Sequence, residues 1–217
     1  MCPSRSCGSL RKNLSREKVT LMNAYEIRAD YDNRSIIVYQ AYPKAIALPA
    51  LQNNRFVPPF SLQRMTWIKP SFLWLMERSN WGLKSGQEMI LAIRMTRQGW
   101  EEALSQAVLT SYDPRVYRGH DEWTAQFEKA LVHIQWDPER TFRGKSLPVN
   151  SIQVGLSRHI IEKYVNEWTI EIQDRTPLVR KIYGLLQEGQ EAKAKGFLPT
   201  ERVYPLSQAL AQRIGIR

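Results

Sequence analysis

The stretch Arg64–Gly82, RMTWIKPSFLWLMERSNWG, decides how the rest of the chain is read. Proline at a first helical position has no amide to leave unsatisfied and its φ is already set, so Pro70 and Ser71 predict a helix from about Pro70 to Ser79. On that helix Phe72, Leu75, Met76 and Ser79 share one face, an ordinary core face, while Trp74, Arg78 and Trp81 share another. The second face can stack a guanidinium on an indole, or offer a flat ring and a cation to a planar charged ligand. Just upstream, Arg64, Thr66 and Lys69 alternate loosely with Met65, Trp67 and Ile68, as in a strand that ends at the helix. A basic strand end feeding a helix N-terminus has the form of a phosphate site. The plainer alternative is that Trp67, Trp74 and Trp81 are core aromatics and that Arg64, Lys69 and Arg78 are solvated.

Upstream, AYEIRADYDNRSIIVYQA (24–41) reads as two strands around a turn at Asp32-Asn33, the second a buried β-branched run. PKAIALPALQNNRF follows as a short helix that Pro49 must kink or split and that Asn53-Asn54 end. Two prolines hold FVPPFSL extended. Downstream, EMILAIRMT is a strand, and GWEEALSQAVL a helix with Glu101-Glu102 in its first turn. A polar loop, YDPRVYRGH, and a short amphipathic segment, DEWTAQFEKAL, come next. LVHIQWDPER is a strand ending at Trp136-Asp137-Pro138, SIQVGL another, SRHIIEKYVNE a helix and WTIEIQD a strand. Thr176 or Asp174 caps a terminal helix, TPLVRKIYGLLQEGQEAKAKG, with Pro177 at its first position. Strands are not regularly separated by helices of crossover length, so the fold class is α+β: a single domain with a mixed, mainly antiparallel sheet flanked by short helices.

Among 217 residues, 31 Lys and Arg against 21 Asp and Glu give a net charge of +10, which favours a polyanionic or phosphorylated partner. Residues 1–21 carry Arg5, Arg11, Lys12, Arg16 and Lys18 against Glu17, with low hydrophobicity and no periodicity. They read as a disordered basic leader, with Met22 opening the core domain, 22–184, and a helical tail, 185–217, docked on it. The leader lacks the apolar core of a secretory signal, and no apolar run approaches the about 20 residues of a bilayer span, so the expectation is a cytoplasmic protein with no membrane partner. Cys2 and Cys7 both fall in the leader, and the three histidines are too scattered for a paired-ligand pattern, which disfavours a disulfide framework and structural zinc.

No Walker loop, GxGxxG or GxSxG occurs. Asp137 and Glu139 in QWDPER form a close carboxylate pair, fit for acid–base work or for a satisfied turn. Gln40, in an otherwise apolar run, carries an amide that needs a partner, either neighbouring backbone or a ligand, and Gln153 repeats the situation in SIQVGL. With Arg28 these two glutamines could line one cleft.

The runs IRADYD, VYQAY, RMTWIKPSFLWLMERSNWG, GQEMILAI, QWDPER, SIQVGL and YVNEWTIEIQD together resemble the domain-of-unknown-function family 4291, over roughly residues 24–184. More distantly, VYQAYPKAIALPALQNNRF is similar to the opening of ADP-ribosyltransferase-like domains, where a strand ending in Tyr-His-Gly-Thr enters a short helix. KPSFLWLM is similar in position to their second strand-to-helix motif, and SIQVGL with WTIEIQD to the late strands that carry their glutamate. That resemblance implies a cleft that clamps NAD, with Gln40 where the family has histidine and Gln153 where it has glutamate. An amide can hold a ribose hydroxyl but cannot act as a general base, so catalysis at Gln40 and Gln153 needs another carboxylate or a different chemistry.

The resulting expectation is an ADP-ribosyltransferase-like protein that binds NAD or another nucleotide or phosphorylated small molecule. Gln40 and Gln153 would face each other across a closed cleft, with Arg28, Tyr39, Arg64, Lys69, Ser71, Trp74 and Arg78 binding the cofactor. The rival is a non-catalytic RNA- or DNA-binding domain whose Arg64, Lys69, Arg78 and Trp74 form an open basic, stacking surface. A third is an interaction domain without a small-molecule site.

Overall fold

The computed structural model describes residues 25–216; the leader and the Met22 opening lie outside them. Nine strands and eight helices alternate irregularly among these residues, as an α+β chain should. The long strand β2 (Ser35–Tyr42) pairs antiparallel with β4 (Met89–Thr96), which pairs with β8 (Thr169–Asp174). A second sheet runs β3–β7–β6–β5, from β3 (Thr66–Ile68), β7 (Ser146–Leu156), β6 (Val132–Arg140) and β5 (Ala107–Leu109). Only the β5–β6 pair among these ladders is parallel, so the sheets are mixed but mainly antiparallel.

Alternation along β2 divides the interior. Ile36 and Val38 face one cluster with Ile68, Val154, Ile152 and Ile134, so that cluster fills the space between the sheets. Ile37 and Tyr39 face a second cluster with Phe72, Leu75 and Met76 of helix α2 (Phe72–Ser79) and Val179 and Ile182 of α6 (Thr176–Gln187). The sheets meet where Tyr39 N donates to Lys69 O at 2.6 Å.

Several local expectations hold. Asp32 accepts the amides of Arg34 and Ser35, which closes the turn into β2. The α2 face Phe72, Leu75, Met76 and Ser79 is buried. Others change. Helix α2 begins at Phe72 with Ser71 as its cap, its hydroxyl accepting from Trp74 N, so Pro70 precedes the helix instead of opening it. Pro49 leaves α1 (Lys44–Asn53) one helix, ended by Asn54 in the left-handed region. Thr96 caps α3 (Arg97–Ser105) two residues earlier than the glutamates require, which moves Glu101 and Glu102 past its first turn, and Ala107–Leu109 leave it as strand β5. Strand β6 runs past Pro138 to Arg140. DEWTAQFEKAL contributes α4 (His120–Glu128), and SRHIIEKYVNE holds only a short α5 (Ile161–Lys163) followed by a π turn, Tyr164–Trp168. The terminal helix breaks at Gly189, φ +74°, into α6 and α7 (Glu191–Lys195).

Beyond α7 the chain returns to its beginning: β9 (Arg202–Val203) pairs with β1 (Arg28–Ala29), and α8 (Gln208–Arg213) packs near α3. Among the described residues, no helix is long and apolar enough to cross a membrane. Glu201, just before β9, accepts Phe72 N at 2.7 Å, so the returning segment is fastened to the N-terminus of α2. Burial pushes the Glu201 carboxyl up to about 8, with the nearby Glu139 charge adding to the rise and the Phe72 amide opposing it.

A carboxyl whose folded pKa lies above its unfolded value binds extra proton in the fold. Its contribution is therefore complete at acid pH and is lost as pH rises through the folded pKa. Relative to Glu201→Gln, the wild-type Tm should fall by roughly 7–15 °C between pH 5 and pH 8.5. Parallel Tm profiles for the two proteins would remove Glu201 as the source.

Candidate functional site

The opening stretch builds two adjoining cavities beside the seam between the sheets. The first, of about 520 Å³, is bordered by Arg64, Thr66, Trp67, Lys69, Gln40 and Gln87 among others. The second, of about 350 Å³, is bordered by Ala41, Trp67, Lys69, Leu75, Arg78, Gln87, Gln135 and Gln153. Ala41, Trp67, Lys69 and Gln87 border both, so the two form one cleft.

Its floor is the outer face of β6 and β7. Gln135 stands opposite Gln153 in the antiparallel register, and both amides donate to one carboxylate: Gln135 Nε2 to Asp137 Oδ1 at 2.9 Å, Gln153 Nε2 to Asp137 Oδ2 at 2.7 Å. Trp67 pairs in register with Gly155, where a Cβ would come within 2.9 Å of the indole. Glycine at 155 therefore lets the ring lie close on the sheet.

The cations stand around this floor. Arg64 and Arg78 are exposed, and neither forms an ion pair among the described residues. Lys69 is half-buried, with Nζ donating to Trp67 O at 3.1 Å and lying 5.8 Å from the centre of the Trp74 ring. Burial, and after it the neighbouring Arg78 charge, lower the Lys69 pKa to about 8 against the opposing pull of Asp137. The cleft thus holds three cations above a floor of amides, a carboxylate and an indole, a set that fits a phosphate joined to a hydroxyl-bearing group.

Of the residues expected to bind or react, Gln40, Arg64, Lys69, Arg78 and Gln153 border this cleft, and the others serve elsewhere. Gln40 is 2 % exposed and faces the cluster between the sheets. Its Nε2 lies 2.7 Å from Thr66 Oγ1, 2.9 Å from Tyr42 Oη and 3.1 Å from Trp67 O, while its Oε1 accepts from Tyr164 Oη at 2.8 Å. Gln153 points from the opposite face of the second sheet, so the two glutamines do not confront each other across a cleft. Alternation along β2 and β7 is the reason: even positions of both strands feed the cluster between the sheets, and Gln153 is odd. Gln40 therefore ties β2 to β3 and to the π turn.

Tyr39 is buried edge-on against Phe72, ring centres 5.4 Å apart, and its hydroxyl pKa is raised by burial. Ser71 is fully buried, capping α2 and donating to Glu139 Oε1 at 3.0 Å. Trp74 is 6 % exposed and supports Lys69 from below. Arg28 lies on β1, held by Glu26 and by the Glu201 carbonyl. The phosphate site expected at the α2 N-terminus is occupied by the protein's own carboxylate, Glu201, on Phe72 N. The QWDPER pair is also separated: the register shifts between Pro138 and Arg140, leaving Asp137 on the cleft floor while Glu139 is buried beside Ser71. Gln135, Trp67 and Gln87 were not singled out as ligand contacts by the sequence, which named Asp137 only as half of a carboxylate pair fit for acid–base work. The signal for Gln135 was present as the polar alternation of His133, Gln135 and Asp137 against Val132, Ile134 and Trp136.

The family model described as domain of unknown function (DUF4291) matches residues 26–204, which takes in both sheets and the whole cleft. No curated protein matches the chain.

The two glutamines should separate in their effects. Gln40→Leu strands the buried Tyr164 hydroxyl and removes the tie from β2 to Thr66, and is expected to cost about 2–4 kcal/mol in urea unfolding, whereas Gln153→Leu should cost under about 1 kcal/mol. Equal costs would contradict the division into a structural and a cleft amide.

Proposed function

We propose that this chain, a member of the DUF4291 family, binds a phosphorylated, ribose-bearing small molecule in the cleft between Arg64, Lys69, Arg78 and Gln153, with NAD or a related nucleotide as the ligand class. One observation carries this reading: three cations without ion pairs among the described residues border two joined cavities lined by Gln135 and Gln153, whose amides both donate to Asp137.

Each group has a distinct role. Arg64 and Arg78 supply charge and planar donor forks to phosphate oxygens. Asp137 accepts from ribose hydroxyls, and the two amides fix its orientation and add donors and acceptors of their own. Trp67 offers a ring edge or face to a base or a nicotinamide. Asp137 is also the carboxylate on this face that can take a proton, the role an amide at 153 cannot fill. The transferase chemistry implied by the distant resemblance requires Gln40 to bind the ligand, but its amide is engaged by Tyr42, Thr66, the Trp67 carbonyl and Tyr164, so the reading rests on the cleft cations and floor instead of on that alignment.

The concave shape favours a small ligand over a nucleic-acid strand, which would be drawn to an open basic face. Thermal unfolding of the full chain with NAD, ADP-ribose, ATP or a short single-stranded RNA, at low and physiological salt, separates them. A ligand that binds only the native state at about 100 times its Kd should raise Tm by roughly 5–10 °C. NAD or ADP-ribose should give such a shift, reduced in Arg78→Gln and Gln153→Leu. A shift with RNA alone that fades with salt would replace this reading with the nucleic-acid one.

A further inference from the structure

We propose that Lys69 forms an imine with the open-chain carbonyl of a phosphorylated sugar held in this cleft, making the site one for aldehyde-bearing sugar phosphates. The inference rests on the phosphate-binding reading of Arg64 and Arg78 and adds a reaction to it.

The position of Lys69 carries it. Lys69 is the cation that borders both cavities, whereas Arg64 borders only the first and Arg78 only the second. Its place is fixed from two sides, by its carbonyl accepting Tyr39 N at the sheet seam and by its ammonium donating to Trp67 O above the Trp74 ring. No ion pair among the described residues holds the ammonium in its charged form. The charged groups that act on it are Arg78 from α2, which disfavours the ammonium, and Asp137 from β6, which favours it. Titrating near 8, the side chain is about a tenth neutral amine at pH 7, where an ordinary lysine is neutral well below one part in a thousand. Desolvation beside a second cation is a known way to prepare a lysine for carbonyl chemistry.

The step balances within the cleft. The amine lone pair forms the C–N bond as the carbonyl π pair moves to oxygen. A proton passes from nitrogen to that oxygen, with Asp137 on the floor as the carboxylate able to relay it. Loss of water then gives the imine, so that amine and aldehyde yield imine and water with no oxidant or reductant. Phosphate held by Arg64 and Arg78 sets which carbonyl arrives, and Gln135 and Gln153 are placed for the sugar hydroxyls.

The test is to incubate the full chain at pH 7 with ribose 5-phosphate and sodium cyanoborohydride, whose hydride converts an imine into a stable secondary amine, and to map adducts by mass spectrometry. Lys69 should be modified about tenfold faster than the exposed Lys44, Lys84 and Lys145. Unphosphorylated ribose should show a weaker preference for Lys69, and excess NAD, whose ribose carbons are locked as glycosides and expose no aldehyde, should protect Lys69. Lys69→Arg should lose the adduct, because a guanidinium stays charged and cannot form the imine. Labelling of Lys69 no faster than Lys84 overturns the imine, and if the Tm shift survives, the phosphate-binding reading stands without it. Equal preference for ribose and ribose 5-phosphate overturns the sugar-phosphate specificity, and absence of both adduct and Tm shift removes the two readings together.

Discussion

The meeting of β2 with β3 is the constraint on which the two-sheet arrangement depends. The strands join through one backbone bridge, Tyr39 N to Lys69 O, and the unladdered groups beside it need other partners. Gln40 supplies them on the inner side, reaching Thr66, Tyr42 and the Trp67 carbonyl while accepting from Tyr164. Lys69 reaches the same carbonyl from the outer side. A single short strand thus sends Thr66 and Ile68 inward to close the core and presents Trp67 outward as cleft lining. Because both consequences follow from one alternation, the cleft cannot slip relative to the core without unsatisfying buried polar groups.

Charge is distributed with the same economy of position. The electropositive start of α2 is met internally by Glu201 and by the Ser71 cap, and Glu139 lies beside that cap. Negative side chains are thereby drawn to the buried end of the helix, and Arg78, in the last turn, is left facing solvent and the cleft. Most of the arginines that pair with carboxylates do so on other faces, as in Arg94 with Glu171 or Arg97 with Glu101. The result is a local excess of positive charge over a polar floor, without any long basic run in the sequence.

Apolar, β-branched runs made the strands legible: SIIVYQA, MILAIRMT, VHIQW and SIQVGL fall in β2, β4, β6 and β7. The buried face of α2 was legible from its helical spacing. Legibility failed where local pattern was outvoted by distant residues. Ala107–Leu109 continue an apolar run that suits a helix, but β6 offers them a ladder. Gln40 in an apolar strand announced that it needed partners, yet those partners come from residues 66, 67 and 164. The helix N-terminus that looked open to phosphate is filled by a glutamate 129 residues later in the chain. Pro138 hid a register shift that turns Asp137 and Glu139 to different environments. Lys69, Arg78 and Gln153, which border one cavity, were named from local signals: cations beside aromatics and an isolated strand amide.

The pairing of β1 with β9 has a consequence for the order in which the chain can acquire its structure. Arg28 and the Glu201 carbonyl that it contacts are 173 residues apart, so the first strand of the fold has no partner until nearly all of the chain is available. Contacts of such separation carry a large loop-closure cost and slow the search for the native topology. Until that closure, Tyr204 and the edge of β1 stay uncovered and α2 lacks its carboxylate, so during synthesis this end of the molecule is the part most dependent on protection from premature association.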